Sequence, residues 1–217
     1  MTQTEQPQKL IINDWPFRVL IPDIPNKPKR LLLLLHGHLG NENVMWVLTK
    51  PIPKDYILLA PRAPVQLGSD QYSWHKIEPQ WPGKATYQPL VESLINHVDQ
   101  WVQEQGLEVP RYDLMGFSQG AVMALALAIL KPEKIGRVAA LAGFLPQTWK
   151  NAFPLQNMAG KAVFIAHGSR DEVIPIEKAR QAAALLKQNG AQVTFCEAET
   201  GHKLSAHCFN DLGTFFR

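Results

Sequence analysis

The sequence predicts an α/β protein in which helices cover both faces of a mostly parallel sheet. Strand-like apolar runs alternate with helix-like runs along the 217 residues. Residues 31–35 are all leucine and are bounded by charge and glycine, which is typical of a strand buried on both faces. Residues 87–105 carry apolar side chains at helical spacing and stop at Gly106, which predicts an amphipathic helix.

The first half of the chain divides into short elements. We expect an opening hairpin at 10–12 and 17–21, the core strand 31–35, a short helix at 43–48, a strand at 55–60 and a long loop at 65–84. The amphipathic helix 87–105 follows this loop. None of these segments is a repeat of another.

The second half continues the alternation. A strand that begins at Arg111 leads into a helix at 121–130, which Lys131-Pro132 ends. We then expect strands at 137–142, 161–166 and 192–197, a helix at 176–188 capped by Asn189-Gly190, and a terminal helix at 204–216. The length fits a single domain over residues 1–217, with no insertion long enough for a folded cap.

The bulk composition excludes several classes of protein. The net charge is only +3. The one dense basic run, residues 27–30, is better explained as the solvent-exposed segment just before a strand than as a nucleic-acid site. The N-terminus lacks the apolar core of a signal peptide, and no apolar run is long enough to span a bilayer. We therefore expect a cytoplasmic protein whose two cysteines, Cys196 and Cys208, are reduced thiols, although a single bridge between them is left open.

The most informative motif is Gly116-Phe117-Ser118-Gln119-Gly120. It stands between a short strand and a helix of small residues, where a sharp turn exposes the serine hydroxyl at the end of the sheet. A plain tight turn is the alternative explanation. The context of strand, turn and helix favours Ser118 as a nucleophile.

A carboxylate partner is expected just past a later strand, where open α/β sheets place their ligands. Asp171, in the loop after the strand 161–166, meets this condition and is predicted to orient the catalytic imidazole. Its neighbour Glu172 is the nearest competitor. Asp113 lies at the start of its strand and therefore at the wrong end of the sheet, and a helix cap is the structural alternative for Asp171.

The expected base is His202, which follows the last strand and precedes the terminal helix. His207 is a rival, but it falls inside the helix. His167 directly follows its strand and is expected to brace the turn. His75 and His97 precede the serine, against the usual order of serine, acid and histidine.

Two backbone N–H groups are expected to bind the oxyanion of a tetrahedral intermediate. Gln119 supplies one at the start of its helix, and the loop 36–40 supplies the other. We favour His38 as the second donor, with Leu39 as the alternative. A metal site at His36, His38 and His202 is disfavoured because no acidic or cysteine ligand lies beside them at ligand spacing, and we expect no metal or cofactor.

These motifs resemble those of the carboxylesterase/phospholipase group of α/β-hydrolases, which includes acyl-protein thioesterases. The resemblance covers the nucleophile motif at 116–121, the acid motif at 167–175, the loop that begins at His36-Gly37 and the segment 60–64. It implies a minimal α/β-hydrolase fold without a large cap, a triad of Ser118, Asp171 and His202, and an oxyanion hole at His38 and Gln119. Compared with the thioesterases, the chain has one extra residue in the loop 36–41 and Gly201-His202-Lys203 at the base, which points to a bacterial-type esterase.

The predicted function is a serine carboxylesterase that hydrolyses short- to medium-chain acyl esters through an acyl-enzyme. The alternatives are a thioesterase or lysophospholipase with the same triad, and a catalytically silent binding protein. The predicted substrate-binding residues are the apolar ones near strand ends: Leu39, Trp74, Phe117, Phe144 and Leu145. The predicted partner is a small acyl ester and not a nucleic acid or a membrane, and a homodimer is left open.

Overall fold

The computed structural model describes residues 6–23, 30–78 and 80–217. Most of the basic run 27–30, the N-terminus 1–5 and one position of the predicted loop 65–84 lie outside the described residues. The strands are β1 Gln8–Ile12, β2 Trp15–Leu20, β3 Arg30–Leu35, β4 Tyr56–Pro61, β5 Val65–Gly68, β6 Gln71–Ser73, β7 Tyr112–Phe117, β8 Ile135–Leu141, β9 Ala162–Gly168 and β10 Gln192–Ala198. The α-helices are α1 Lys84–Glu104, α2 Gln119–Leu130, α3 Ile176–Gln188 and α4 Ala206–Phe215.

Eight of these strands form one sheet in the order β1-β2-β4-β3-β7-β8-β9-β10. β1 and β2 pair antiparallel, as does β2 with β4, whereas every pair from β4 through β10 is parallel. The carboxyl ends of six strands therefore lie along one edge. This edge carries the loops that follow β3, β7, β9 and β10, which hold the candidate site residues.

The sheet divides the core into two layers. Along β3, Leu31, Leu33 and Leu35 face the layer built with α1, α2 and α3, whereas Leu32 and Leu34 face the layer built with α4. All five leucines are at most 1% exposed, which confirms a strand buried on both faces. Because α2 is buried along almost its whole length, small residues on it allow close packing against the sheet. The described residues form no large cap over the sheet.

Three of the sequence-based element assignments need correction. The predicted loop 65–84 contains the two-stranded hairpin β5–β6, and α1 begins at Lys84 rather than at residue 87. Strands of four and three residues carry too little periodicity to recognise from sequence alone. The predicted short helix at 43–48 is the 3₁₀-helix Val44–Leu48.

No helix among the described residues is long and apolar enough to cross a membrane.

The two cysteines are joined, which corrects the expectation of reduced thiols. Cys196 on β10 forms a disulfide with Cys208 on α4, and both residues are buried. The sequence between them contains His202, so the bridge closes the loop that carries the candidate base. Disulfides are typical of oxidising compartments. This observation weighs against a cytoplasmic location, which stays a prediction.

We expect reduction of the disulfide to lower the free energy of unfolding by roughly 2–3 kcal/mol, the amount expected for a short closed loop. The bridged residues are 12 positions apart. Urea denaturation with and without a phosphine reductant measures the change. The double variant Cys196→Ser/Cys208→Ser is the control, because its midpoint must not respond to the reductant. A wild-type midpoint that also fails to respond contradicts the bridge.

Candidate active site

Ser118 lies at a strained turn between β7 and α2. Its φ of 53° and ψ of −117° are unfavourable for a residue with a side chain. A Cβ on Gly116 would lie 2.1 Å from the carbonyl oxygen of Gly120, and one on Gly120 would lie 2.1 Å from that of Leu35. Both positions therefore require glycine. The structure thus has the strand, sharp turn and helix that the motif predicts.

Asp171 and His202 meet at the carboxyl edge of the sheet. Asp171 follows β9 and His202 follows β10, and the two strands are parallel neighbours. The Nδ1 of His202 lies 2.7 Å from Oδ2 of Asp171. The Asp171 side chain is fully buried, whereas that of His202 is 21% exposed. The geometry is that of an imidazole oriented by a buried carboxylate.

The charge on Asp171 is stabilised by local donors. Its Oδ1 accepts hydrogen bonds from the N–H groups of Val173 and Ile174, both at 2.9 Å. Burial alone raises the pKa of Asp171, but the bonds from Ile174, His202 and Val173 outweigh burial and hold the pKa below its ordinary value. Asp171 is therefore a carboxylate at neutral pH and can stabilise a positive charge on His202.

The rival acids lie elsewhere in the structure. Glu172 is exposed, and within the described residues no hydrogen bond or ion pair joins it to His202. Asp113 lies near the start of β7, at the opposite end from Ser118, where it accepts hydrogen bonds from Tyr56, Arg30 and the N–H of Arg137. Asp113 has the structural role of holding neighbouring strands together.

The rival histidines are also accounted for. His207 is exposed on α4 and lies 3.4 Å from Asp211. His97 contacts the carbonyl of Ser93 on its own helix. His75 is buried beside Gln119, with its Nε2 3.1 Å from the amide nitrogen of that residue. His167 contacts the carbonyl of Ile174 at 2.8 Å, as expected for a residue that braces the turn.

The loop 36–40 lies next to Ser118. A Cβ on Gly37 would be 3.3 Å from the Cβ of Ser118. The N–H of Leu39 donates to the carbonyl of Tyr72 at 2.9 Å, so it is committed to the hairpin β5–β6. Within the described chain, no hydrogen bond engages the N–H of His38 or of Gln119. Of the two candidates in the loop, the geometry therefore favours His38 over Leu39 as an oxyanion donor.

The hairpin β5–β6 supports both candidate donors, which the sequence did not reveal. The Gln119 side chain is buried and bonds Ser73 through both amide atoms, and it also accepts from the N–H of Trp74 at 3.0 Å. Ser73 in turn lies 3.3 Å from Nδ1 of His38. Such a network is visible only in the tertiary structure, because Ser73 is 46 residues from Gln119.

An ion pair supports the same hairpin. Arg62 forms two hydrogen bonds of 2.7 Å with the buried carboxylate of Glu42, and it also donates to the hydroxyl of Tyr72 at 3.1 Å. Tyr72 is the residue whose carbonyl holds Leu39. Paired, hydrogen-bonded arginine and carboxylate groups fix geometry well. Glu42 and Arg62 therefore hold Tyr72, and through it the loop 36–40, in place.

His36 is a structural residue rather than a metal ligand. Its Nε2 accepts from the N–H of Ala63 at 2.9 Å, so its Nδ1 donates to the carbonyl of Gly37 at 2.7 Å. Both ring nitrogens are thus occupied. Burial lowers the pKa of His36 to about 4, against the opposing effect of the Gly37 bond.

We expect this histidine to make the protein less stable on acidification. The unfolded chain binds a proton below about pH 6.5, whereas folded His36 resists protonation down to about pH 4, so stability falls across this interval and levels off below it. The contribution between pH 7 and pH 5 is about 2 kcal/mol. Urea denaturation at the two pH values measures it.

The non-titrating variant His36→Gln is the comparison. We expect it to be less stable at pH 7 but to lose about 2 kcal/mol less than the wild type between pH 7 and pH 5. Equal losses in the two proteins would show that His36 does not carry this pH dependence.

A cavity of about 740 Å³ opens at the carboxyl edge of the sheet. It is lined by residues 37–40, 44, 45, 47, 48, 117, 118, 202–206 and 209. Ser118 and His202 thus share one cavity, and the ring of Phe117 lies 5.0 Å from that of His202. Much of the remaining wall is apolar and comes from the 3₁₀-helix Val44–Leu48 and from α4 with the loop before it.

The structure brings two of the five predicted substrate-binding residues to this cavity. Leu39 and Phe117 line it, whereas Trp74, Phe144 and Leu145 do not. Trp74 is buried under the loop 36–40, where its indole N–H donates to the carbonyl of His36 at 2.7 Å. Phe144 packs against Trp81, and Leu145 is 5% exposed in the core. The walls of the cavity come instead from segments 44–48 and 203–209. The sequence did not show on which side of the sheet these segments lie.

One group of possible metal ligands occurs in the described part of the chain. It consists of Cys196, His207 and Asp211, whose ligand atoms lie within 4.8 Å of one another. The sulfur of Cys196 is already bonded to Cys208. The group therefore does not offer a thiolate in this structure.

A serine at a strand–helix elbow, followed along the chain by an acid and a histidine after later strands, is the arrangement found in α/β-hydrolases. The mostly parallel sheet agrees with it, and the structure defines a protein of the α/β-hydrolase class. Residues 20–217 match the phospholipase/carboxylesterase family. The chain belongs to that family of ester hydrolases.

Individual relatives agree with this family. An acyl-protein thioesterase 1 of Emericella nidulans is 37% identical over 97 residues, which is 42% of this chain and 40% of that protein. The esterase YpfH of Escherichia coli is 28% identical over 197 residues, covering 83% of this chain and 79% of that protein. A carboxylesterase structure from Mesorhizobium loti superposes with a TM-score of 0.81 at 21% identity, covering 95% of this chain and 97% of that one. The match to the thioesterase thus spans well under half of its length.

Proposed function

We propose that this protein is a serine carboxylesterase that hydrolyses short- to medium-chain acyl esters through an acyl-enzyme on Ser118. The observation that carries the proposal is the 2.7 Å contact between Asp171 and His202 beside the cavity that Ser118 lines. A serine hydroxyl becomes a competent nucleophile only when a base removes its proton. His202, whose Nδ1 lies against the carboxylate of Asp171, is the proposed base.

The reaction then follows in two halves. His202 takes the Ser118 proton through Nε2 while Oγ attacks the ester carbonyl, and the imidazolium that forms is stabilised by Asp171. The tetrahedral intermediate collapses, the C–O bond of the ester breaks, and His202 gives its proton to the leaving alcohol. Water, deprotonated by the same imidazole, attacks the acyl-enzyme and releases the acid and free Ser118.

The N–H groups of Gln119 and His38 are the proposed oxyanion donors. Gln119 is the first residue of α2, where the helix dipole adds to the donor strength. His38 follows Gly37, whose missing side chain brings the loop close to Ser118. The hairpin residues Ser73 and Tyr72 hold these segments in place before substrate arrives, which is the condition for effective stabilisation.

The proposed acyl site is the apolar side of the cavity. Val44, Met45, Val47 and Leu48 come from the 3₁₀-helix, and Phe209 comes from α4. Val47 is 75% exposed and Val44 is 44% exposed, so the apolar surface continues to the cavity mouth. Burial of acyl methylenes against such side chains is favourable by about 0.8 kcal/mol each.

A thioesterase or lysophospholipase activity of the same site is the second candidate. The family name and the Emericella nidulans relative favour it, and the chemistry at Ser118 would be unchanged. A catalytically silent binding protein is the third, and the preserved contact between Asp171 and His202 argues against it. A homodimer and a cytoplasmic location remain predictions of the sequence.

A series of nitrophenyl esters tests the acyl site. We expect kcat/KM to rise roughly 3- to 4-fold per added methylene from acetate onward, because each methylene becomes buried, and to level off when the cavity is filled. Thioesters and lysophospholipids of matched acyl length distinguish the second candidate from the first.

Val44→Trp is the matched variant, because it narrows the cavity from an exposed position. We expect it to abolish the gain with chain length while retaining activity on acetate. Ile11→Trp is the control, since Ile11 is exposed and does not line this cavity. If both variants keep the wild-type length preference, the acyl chain does not bind between the 3₁₀-helix and α4.

A further inference from the structure

His167 is a buried histidine that the proposed reaction does not use. It lies in β9, four residues before Asp171, and its side chain is fully buried. Its Nε2 lies 2.8 Å from the carbonyl oxygen of Ile174 and 3.3 Å from Oδ2 of Asp171. Oδ2 is the oxygen that contacts His202. One carboxylate oxygen therefore lies between two imidazoles.

The neighbours of His167 determine which of its nitrogens carries the proton. A carbonyl and a carboxylate only accept hydrogen bonds, so Nε2 must be the donor. Nδ1 is buried and has no hydrogen-bond partner among the residues that the structure describes. A second proton there would be buried without an acceptor, which is costly. The neutral tautomer with its proton on Nε2 is the one that fits.

His167 holds the Asp171 loop at two points. Its bond to the carbonyl of Ile174 fixes a residue whose N–H donates to Oδ1 of Asp171. The Nε2 of His167 itself lies 3.3 Å from Oδ2 of Asp171. Both oxygens of Asp171 are thus positioned, one through Ile174 and one directly, while His202 binds from the cavity side.

We propose that His167 is a positioning residue that, as a neutral donor, holds Asp171 in the orientation that His202 requires. The inference rests on the proposed function, because it concerns the acid of the same site. A histidine that only filled the core would need no polar contact on the catalytic side. Here the nitrogen that donates to Ile174 also lies 3.3 Å from the carboxylate oxygen, and the other nitrogen has no partner in the described part of the chain.

The other charged and titratable groups around this pair are exposed. Arg170 and Glu172 flank Asp171 in the loop, and Glu199 of the facing loop pairs with Arg170. Lys203 and His38 share the cavity with His202 and are exposed. Water screens such groups strongly, so a buried donor in contact with Asp171 should affect His202 more than they do.

The test compares His167→Leu with His167→Gln. Leucine removes the donor, whereas the terminal amide of glutamine can place an N–H near the position of Nε2. We expect His167→Leu to lower kcat roughly 10-fold with little change in KM, which is the lower end of the effect of losing a hydrogen bond that orients a charged group. We also expect the acid limb of the plot of kcat/KM against pH to shift to higher pH by about 0.5–1 unit. Without the donor, the negative charge of Asp171 is less neutralised and favours the imidazolium form of His202.

His167→Gln is expected to restore most of kcat and to return the acid limb toward the wild-type position. Trp149→Phe is the control for loss of a buried hydrogen bond, since the Trp149 indole donates to Pro82 at 3.0 Å away from the cavity. It should reduce stability without moving the pH profile. Urea denaturation of all the variants separates lost stability from lost positioning.

Two outcomes overturn the inference. One is a pH profile of His167→Leu that coincides with that of the wild type, and the other is an equal loss in the leucine and glutamine variants. Failure of the proposed function gives a different result, because folded wild-type protein would then not be labelled at Ser118 by a fluorophosphonate probe. Labelling of the wild type with an unaltered His167→Leu profile rejects the positioning role alone.

Discussion

Ser118→Ala is expected to reduce kcat for a nitrophenyl ester by about 10⁴- to 10⁶-fold. The change removes only the hydroxyl oxygen that would form the acyl-enzyme. Alanine should keep the fold, because it retains the Cβ of serine and so adds no new steric clash at the strained φ of 53°. Steady-state release of nitrophenol by the wild type and the variant quantifies the loss of kcat.

Labelling by a fluorophosphonate probe provides the control for this variant. Ser205 is the other serine that lines the cavity, but its hydroxyl accepts the N–H of Cys208 as the cap of α4. Ser205→Ala should therefore lose some stability and still be labelled, whereas Ser118→Ala should not be labelled. Retention of full hydrolysis in folded Ser118→Ala protein would reject the acyl-enzyme mechanism.

Asp171→Asn is expected to lower kcat by about 10⁴-fold, the effect known for the equivalent change in a serine protease. The structure explains why the amide must point the wrong way. Oδ1 accepts two backbone N–H groups, so the amide oxygen has to occupy that position. The amide nitrogen then faces Nδ1 of His202 and donates to it. His202 must carry its proton on Nε2, where it cannot accept the proton of Ser118.

Two controls distinguish a changed tautomer of His202 from a simple loss of negative charge near it. One is the variant of the neighbouring carboxylate Glu172, and the other is the pH dependence of the Asp171→Asn variant. Glu172→Gln removes an exposed carboxylate one residue away and should leave kcat within about 2-fold, as expected for an exposed and screened charge. Raising the pH should not rescue Asp171→Asn, because the tautomer and not the charge state of His202 is altered. An equal loss in Glu172→Gln would mean that the two carboxylates share the role, or that the loop conformation is disturbed.

Local patterns in the sequence were sufficient for most of the fold. The strand 31–35, the amphipathic helix α1 and the helix α3 with its Asn189-Gly190 cap follow from apolar periodicity and from residues that end helices. The hairpin β5–β6 did not follow, because its strands are too short to show a period. The disulfide did not follow either, since pairing two cysteines requires their Cα atoms to be close, here 5.8 Å apart.

The walls of the cavity were the least predictable part of the candidate site. Apolar residues near strand ends are equally suited to a core or to a pocket, and sequence does not say which side of the sheet a loop covers. Trp74, Phe144 and Leu145 became core, while the 3₁₀-helix and α4 supplied the wall. The support for the candidate oxyanion donors was also hidden, because Ser73 reaches Gln119 across 46 residues.

Glycines at a turn and apolar periods act over a few residues, so the amino-acid sequence was enough to predict the α/β class and the order of the candidate serine, acid and histidine. How these residues meet depends on the tertiary structure. It placed Asp171 2.7 Å from His202, committed the N–H of Leu39 to Tyr72, and set His167 against the buried carboxylate. These contacts depend on which strands are neighbours in the sheet, and that order arises from packing over the whole chain rather than from any local pattern.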